Sequence, residues 1–149
     1  MKLENNTNIE TQKIREFIKF SKPSGVSKFH ITFKTSGWGI SGRAYTGRNK
    51  ILISVGKSDY PYVYKAGRCC RGYLSYIVLN QDEDILGIIA HELRHLWQSK
   101  HRKGYRVHGS RGVYSERDAD AYAIRKIREY RKLNRVSKLD SFNTVRENG

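Results

Sequence analysis

The segment His91-Glu92-Leu93-Arg94-His95 sets two imidazoles four residues apart, with a carboxylate directly after the first. On an α-helix that spacing stacks the histidines on one face, a turn apart, where both can meet a single zinc ion. Glu92 then projects about 100° around the helix from His91, a placement that suits a general base acting on metal-activated water rather than a ligand. The chain holds five His and eight Glu, and a random ordering of it contains HExxH about once in a hundred times. Spacing alone leaves open a plainer reading, two histidines in ordinary hydrogen bonds.

A catalytic zinc site of this kind needs a third protein donor. Glu116 and Asp120 are four apart and share a helix face, so one carboxylate can bind metal while the other accepts the outer N–H of a ligating histidine. The same acids would also complement the dipole at a helix N-terminus, a role that Asp118 fits better. His101 and His108 are alternative third donors, set among Lys, Arg and Gly with no fixed offset from the motif. His30 alternates with Phe29 and Ile31, which places it on the solvated face of a strand in a structural role.

The elements that must position these groups are legible from periodicity. Asn80 with Glu83 three residues on has the form of a capping box, and Ile85, Leu86, Ile89, Leu93, Leu96 and Trp97 follow as an apolar stripe. This predicts a helix from about 81 to 100 carrying the motif. Ser115 can cap a last helix, with Asp118 at the third position and a buried seam of Ala119, Ala123, Ile127 and Tyr130 that Glu116 begins. Near the start, Thr7 to Glu10 also reads as a capping box ahead of Ile14, Phe17 and Ile18, predicting a helix over roughly 8–20.

Pro23 and Gly25 end that helix, and strict alternation from Lys28 to Lys34, with Phe29, Ile31 and Phe33 on one face, predicts a strand. Gly39 to Thr46, Lys50 to Val55 and Tyr73 to Leu79 are three more, with a Tyr- and Gly-rich loop between the last two. Strands precede the long helices, so the expected fold class is α+β with a small, mostly antiparallel sheet. Residues 1–135 are read as a single domain and 136–149, which lack periodicity, as a flexible C-terminal tail.

Lys and Arg number 29 against 14 acids, a net charge of +15 over 149 residues. The longest uninterrupted apolar run, Ile85 to Ala90, is broken by Gly87 and is far short of the ~20 residues a membrane span needs. Met1 to Glu10 is polar and lacks the charged start and apolar block of a secretory signal, so a cytoplasmic location is expected. Cys69 and Cys70 are adjacent, which disfavours a disulfide and excludes a cysteine zinc ribbon. The charge implies either an anionic partner such as nucleic acid or a solubilising surface. From Lys100 to Lys138 there are 13 Lys and Arg against four acids. Arg125, Lys126, Arg128, Arg131 and Lys132 within that stretch fall on the outer side of the predicted helix, where charge is also the default.

His91-Glu-Leu-Arg-His95 followed, 21 positions after His95, by Glu116-Arg-Asp-Ala-Asp120-Ala-Tyr-Ala123 resembles the gluzincin metallopeptidases. The second run is similar to the glutamate helix of the ImmA/IrrE-like peptidases, and the chain's size to the minigluzincins. Arg94 stands where ImmA/IrrE proteins have Gly before the second histidine, and no helix-turn-helix is evident. The SprT-like DNA-associated proteases are a second resemblance, although they often carry a cysteine ribbon and tend to use a third histidine.

The resemblance implies Zn2+ held by His91, His95 and Glu116, Asp120 supporting a histidine, and Glu92 as general base in peptide-bond hydrolysis. Tyr105, His108, Arg111 and Tyr114 lie close enough in sequence to serve the oxyanion, and Tyr114 is the choice among them. Zincins pair extended substrate with an edge strand, for which Lys50 to Val55 is the expectation and Tyr73 to Leu79 the competitor. The expected partner is a protein or peptide substrate, with nucleic acid on the basic surface and no membrane. The alternatives are a basic nucleic-acid-binding protein and a structural component of an assembly with a non-catalytic zinc site.

Overall fold

Ile31 and Phe33 alternate with polar neighbours, Ile51, Ile53 and Val55 alternate with half-buried Leu52 and Ser54, and all five side chains are buried. They belong to β2 (His30–Trp38) and β4 (Lys50–Lys57), the central pair of a four-stranded sheet in the order β1-β2-β4-β3, with β1 at Lys2–Asn6 and β3 at Ile40–Tyr45. The computed structural model describes residues 1–64, 74–101 and 113–148, with side chains from 115 to 135 in the last helix.

The sheet is mixed rather than mostly antiparallel. β1 runs parallel to β2 and β2 parallel to β4, while β3 is antiparallel to β4. Part of the difference comes from β4, which inserts between β2 and β3, and part from β1, where Lys-Leu-Glu-Asn-Asn offers one apolar side chain and no alternation to read. It nonetheless pairs with His30 to Lys34, and a parallel pair requires a crossover, supplied by α1 (Thr11–Ser21).

The expected capping box at Thr7 does not form. Asn5 Nδ2 donates to the Ile9 carbonyl at 2.8 Å and to Thr11 Oγ1 at 3.0 Å, and the Thr7 hydroxyl accepts the Ile9 N–H at 3.2 Å. These side chains close a turn on themselves, so the helix begins at Thr11 instead.

The Tyr-rich segment read as a loop contains a strand. β5 (Tyr62–Tyr64) pairs antiparallel with β6 (Tyr76–Val78), and the rings of Tyr64 and Tyr76 stack with centroids 4.9 Å apart. The hydroxyls of Tyr60 and Tyr62 donate to Asp84 at 2.8 and 2.6 Å, which pins this pair of strands to the first turn of α2 (Gln81–His101). α2 starts where its cap predicts: Asn80 Oδ1 accepts the Glu83 N–H at 3.0 Å and the Glu83 carboxylate reaches back to the Leu79 N–H at 3.0 Å.

The core lies between the sheet and two helices, with Ile14, Phe17 and Ile18 from α1 and Ile85, Leu86, Ile89, Leu93 and Leu96 from α2. α3 (Val113–Asn148) packs on the other side of α2, where Ala90 meets Ala123 and Tyr122. Small residues let the two helix backbones approach closely. Arg131 clamps them with a two-pronged pair to buried Glu83 at 2.7 and 2.8 Å. The Tyr122 hydroxyl ties α3 to the end of α1 through the Ser21 carbonyl.

Ser115 lies inside α3, which begins two residues earlier, so it is not the cap the sequence suggested. Asp118 likewise does more than face a dipole, since it accepts from Arg94 Nε at 2.8 Å and from Gln98 Nε2 at 2.9 Å and so joins α3 to α2. The helix backbone continues through residues 136–148, the stretch read as a tail. Among the described residues no helix is long and apolar enough to cross a membrane.

Candidate metal centre

Helical spacing puts His91 and His95 on adjacent turns of α2, and the packing of α3 brings a carboxylate to them. His91 Nε2 lies 2.8 Å from one Glu116 oxygen, His95 Nε2 lies 3.2 Å from the other, and the two Nε2 atoms are 3.1 Å apart. The three donors all fall within 4.8 Å of one another. A tetrahedral ion with bonds of about 2.0–2.1 Å separates its nitrogen donors by about 3.3 Å, so this spacing fits a single ion.

The outer nitrogens are held as well. Asp120 Oδ1 faces His91 Nδ1 at 2.9 Å, and Gln98 Oε1 faces His95 Nδ1 at 2.9 Å. An oxygen opposite each Nδ1 selects the tautomer that leaves the Nε2 lone pair free for a ligand. Asp120 is completely buried, its other oxygen accepts the Leu74 N–H at 3.3 Å, and Oδ1 has no better-aligned partner among the described residues. Gln98 is fixed in turn, since its Nε2 donates to the Ser115 carbonyl at 2.8 Å and to Asp118.

Bonded to one another, these groups shift one another's proton affinity. Burial pulls the His91 imidazolium down, but the hydrogen bonds it donates to Asp120 and Glu116 outweigh this and raise the group to about 10. His95 is raised too, with burial opposed mainly by Glu116. Burial pushes Glu116 up, and the two histidines more than reverse that, holding it at about 2. A carboxylate kept ionised beside two imidazoles is a donor set prepared for a cation.

Glu92 points elsewhere. Its side chain is buried against β3, where a Cβ added to Gly42 would fall 2.8 Å from Glu92 Cγ, and the Ala44 N–H donates to its carboxylate. Burial raises this acid above the usual carboxylate range despite the neighbouring histidines. A carboxyl group raised in this way, next to a ligand cluster but outside it, is disposed to exchange protons.

A cleft of about 790 Å³ runs between β3 and the two helices and exposes His91, Glu92, His95 and Glu116 along one side. No family model, curated protein or solved structure matches this chain. Among the described residues three donors gather on this cleft, and they could hold a metal ion.

The strand expected to meet substrate is not the one at the cleft. β4 is bordered on both sides, by β2 and β3, so it has no free edge, and β6 belongs to the separate two-stranded sheet. Among the described residues the free edge beside the motif is β3. Gly39 exchanges bonds with Gly56 and Lys57, so alternation turns the peptide groups of Ile40, Gly42 and Ala44 outward, as the Ala44 bond to Glu92 requires.

The remaining sequence candidates separate cleanly. His101, at the exposed end of α2, stacks on Trp97 with centroids 5.2 Å apart and crowds Gly25, away from the donor group. His30 is half-exposed beside Glu4 at 3.5 Å. Tyr105, His108, Arg111, Cys69, Cys70 and the side chain of Tyr114 lie outside the described residues. Sequence reasoning missed Gln98, although an amide three residues after the second histidine was a signal. It also missed Tyr64, which lines the cleft from β5 and whose hydroxyl burial pushes up to about 12.

Proposed function

We propose that this chain is a zinc-dependent peptidase in which Glu92 is the general base. The observation that carries the reading is the convergence of His91 Nε2, His95 Nε2 and the Glu116 carboxylate, with a separate buried Glu92 on the same cleft. The two imidazoles and the carboxylate would hold the ion, and zinc, when bound, supplies Lewis-acid polarisation of water and of a carbonyl oxygen.

The rest is done by the chain. An extended peptide adds to the outer edge of β3, taking the outward peptide groups of Ile40 and Gly42 as backbone partners. Glu92 takes a proton from the attacking water, a transfer that its raised proton affinity favours, and returns it to the more basic leaving amine. Tyr64, a cleft-wall donor that stays protonated at neutral pH, stabilises the developing oxyanion. Asp120 and Gln98 keep the imidazoles in register.

Elemental analysis of the purified protein beside Glu116→Ala and Glu92→Gln, with hydrolysis of fluorescein-labelled casein, tests the reading. One zinc in wild type and Glu92→Gln, little in Glu116→Ala, and activity in wild type alone is the expected pattern. Absence of zinc after reconstitution at neutral pH, or casein hydrolysis that survives Glu92→Gln, overturns it.

A further inference from the structure

We infer that the solvent face of α3 is a binding surface for the sugar-phosphate backbone of a nucleic-acid duplex. Arg117, Arg125, Arg128, Lys132 and Arg135 are all exposed. At 100° per residue they fall within an arc of about 80° and span about 27 Å of helix. The opposite face of the same helix is the one that carries buried Ala119, Ala123 and Ile127.

The exposed acid beside the stripe, Glu129, pairs with Lys126 and with none of these five. Among the described residues, none of the five cations is paired with a carboxylate, whereas Arg94, Lys126 and Arg131, which lie off the stripe, all are. Arg125 instead lies over the Tyr122 ring, 5.1 Å from its centroid. Five unneutralised charges along one line repel one another, and a row of phosphates is the partner that relieves this most fully. A membrane surface fits less well, because a helix that lies on lipid needs apolar residues beside its cations, and the arc holds only Ala121.

The surface is independent of the metal centre, since it uses none of the cleft residues. Arg117 follows Glu116 directly, so a duplex held along the stripe lies beside the helix that closes the cleft.

Fluorescence anisotropy with a labelled duplex of about 20 base pairs, as DNA and as RNA, tests this across a salt series. Five phosphate contacts give a slope of log K against log salt of about −4 to −5. Arg128→Ala with Lys132→Ala should reduce that slope by about 2. Lys34→Ala with Lys57→Ala, which removes the same charge from exposed strand positions, should leave it unchanged, as should Glu92→Gln. Circular dichroism confirms that the helix persists in each variant. Equal losses from both lysine-containing pairs, no binding at about 150 mM salt, or binding to phosphatidylserine vesicles but not to either duplex overturns the inference.

Discussion

Glu92 is pressed against the one residue of β3 that has no side chain: a Cβ at Gly42 would fall 2.8 Å from Glu92 Cγ and 3.0 Å from Oε1. The edge strand and the proposed general base therefore share a contact, and the glycine sets how close they come. Gly42→Ala should displace the carboxylate and lower turnover about 100-fold, with zinc content unchanged, because the atoms nearest the added Cβ belong to Glu92 and Ile88 rather than to His91, His95 or Glu116. Steady-state hydrolysis beside metal analysis reads both quantities. Full activity in the alanine variant would mean that Glu92 has room to retreat and that its position is not set by β3.

The supports behind the histidines should matter for metal rather than for folding alone. Asp120→Asn and Gln98→Ala each leave the three donors in place but release one imidazole, at Nδ1 of His91 or of His95. Each should weaken zinc binding by about 10- to 100-fold in chelator competition. Asp120→Asn should cost more, since that carboxylate is fully buried and charged, whereas Gln98 is neutral. Wild-type affinity in both variants would show that the ligands are oriented by helix packing alone.

Much of this centre was readable before any fold was known. His91, Glu92 and His95 follow from one spacing on one capped helix, and Glu116 and Asp120 from a second spacing on another. What spacing does not encode is which strand lies against a helix. β1 has a single apolar residue, so neither its existence nor the parallel pairing it imposes leaves a trace in the pattern. Nor does the pattern show that β4 inserts between β2 and β3, so a strand that looked like an edge is central. Tyr64 was hidden for a similar reason. It sits in a three-residue strand whose pairing with β6 depends on residues 12 or more positions away.

Tyr64 can be examined apart from its packing. Tyr64→Phe keeps the stack on Tyr76 and removes only the hydroxyl. If that hydroxyl donates to the oxyanion, kcat should fall by about 100- to 1,000-fold while KM changes little. A rise in KM at constant kcat would instead assign Tyr64 to substrate binding.

The metal-free centre also predicts how stability responds to pH. His91 is raised from 6.5 to about 10 in the folded protein, so its contribution is fully present below 6.5 and is lost as pH rises toward 10. Glu116 is lowered from 4.5 to about 2, so its contribution is present above 4.5 and is lost as pH falls toward 2. Both are in full force between 4.5 and 6.5, where metal-free protein should melt at its highest temperature. Zinc requires the imidazoles without their protons, so the metal-induced rise in melting temperature should be small near pH 5.5 and grow through pH 8. Thermal melts of chelated and reconstituted protein across that range check the sign. A metal-induced shift that shrinks as pH rises would mean that the ion is held by groups other than His91 and His95.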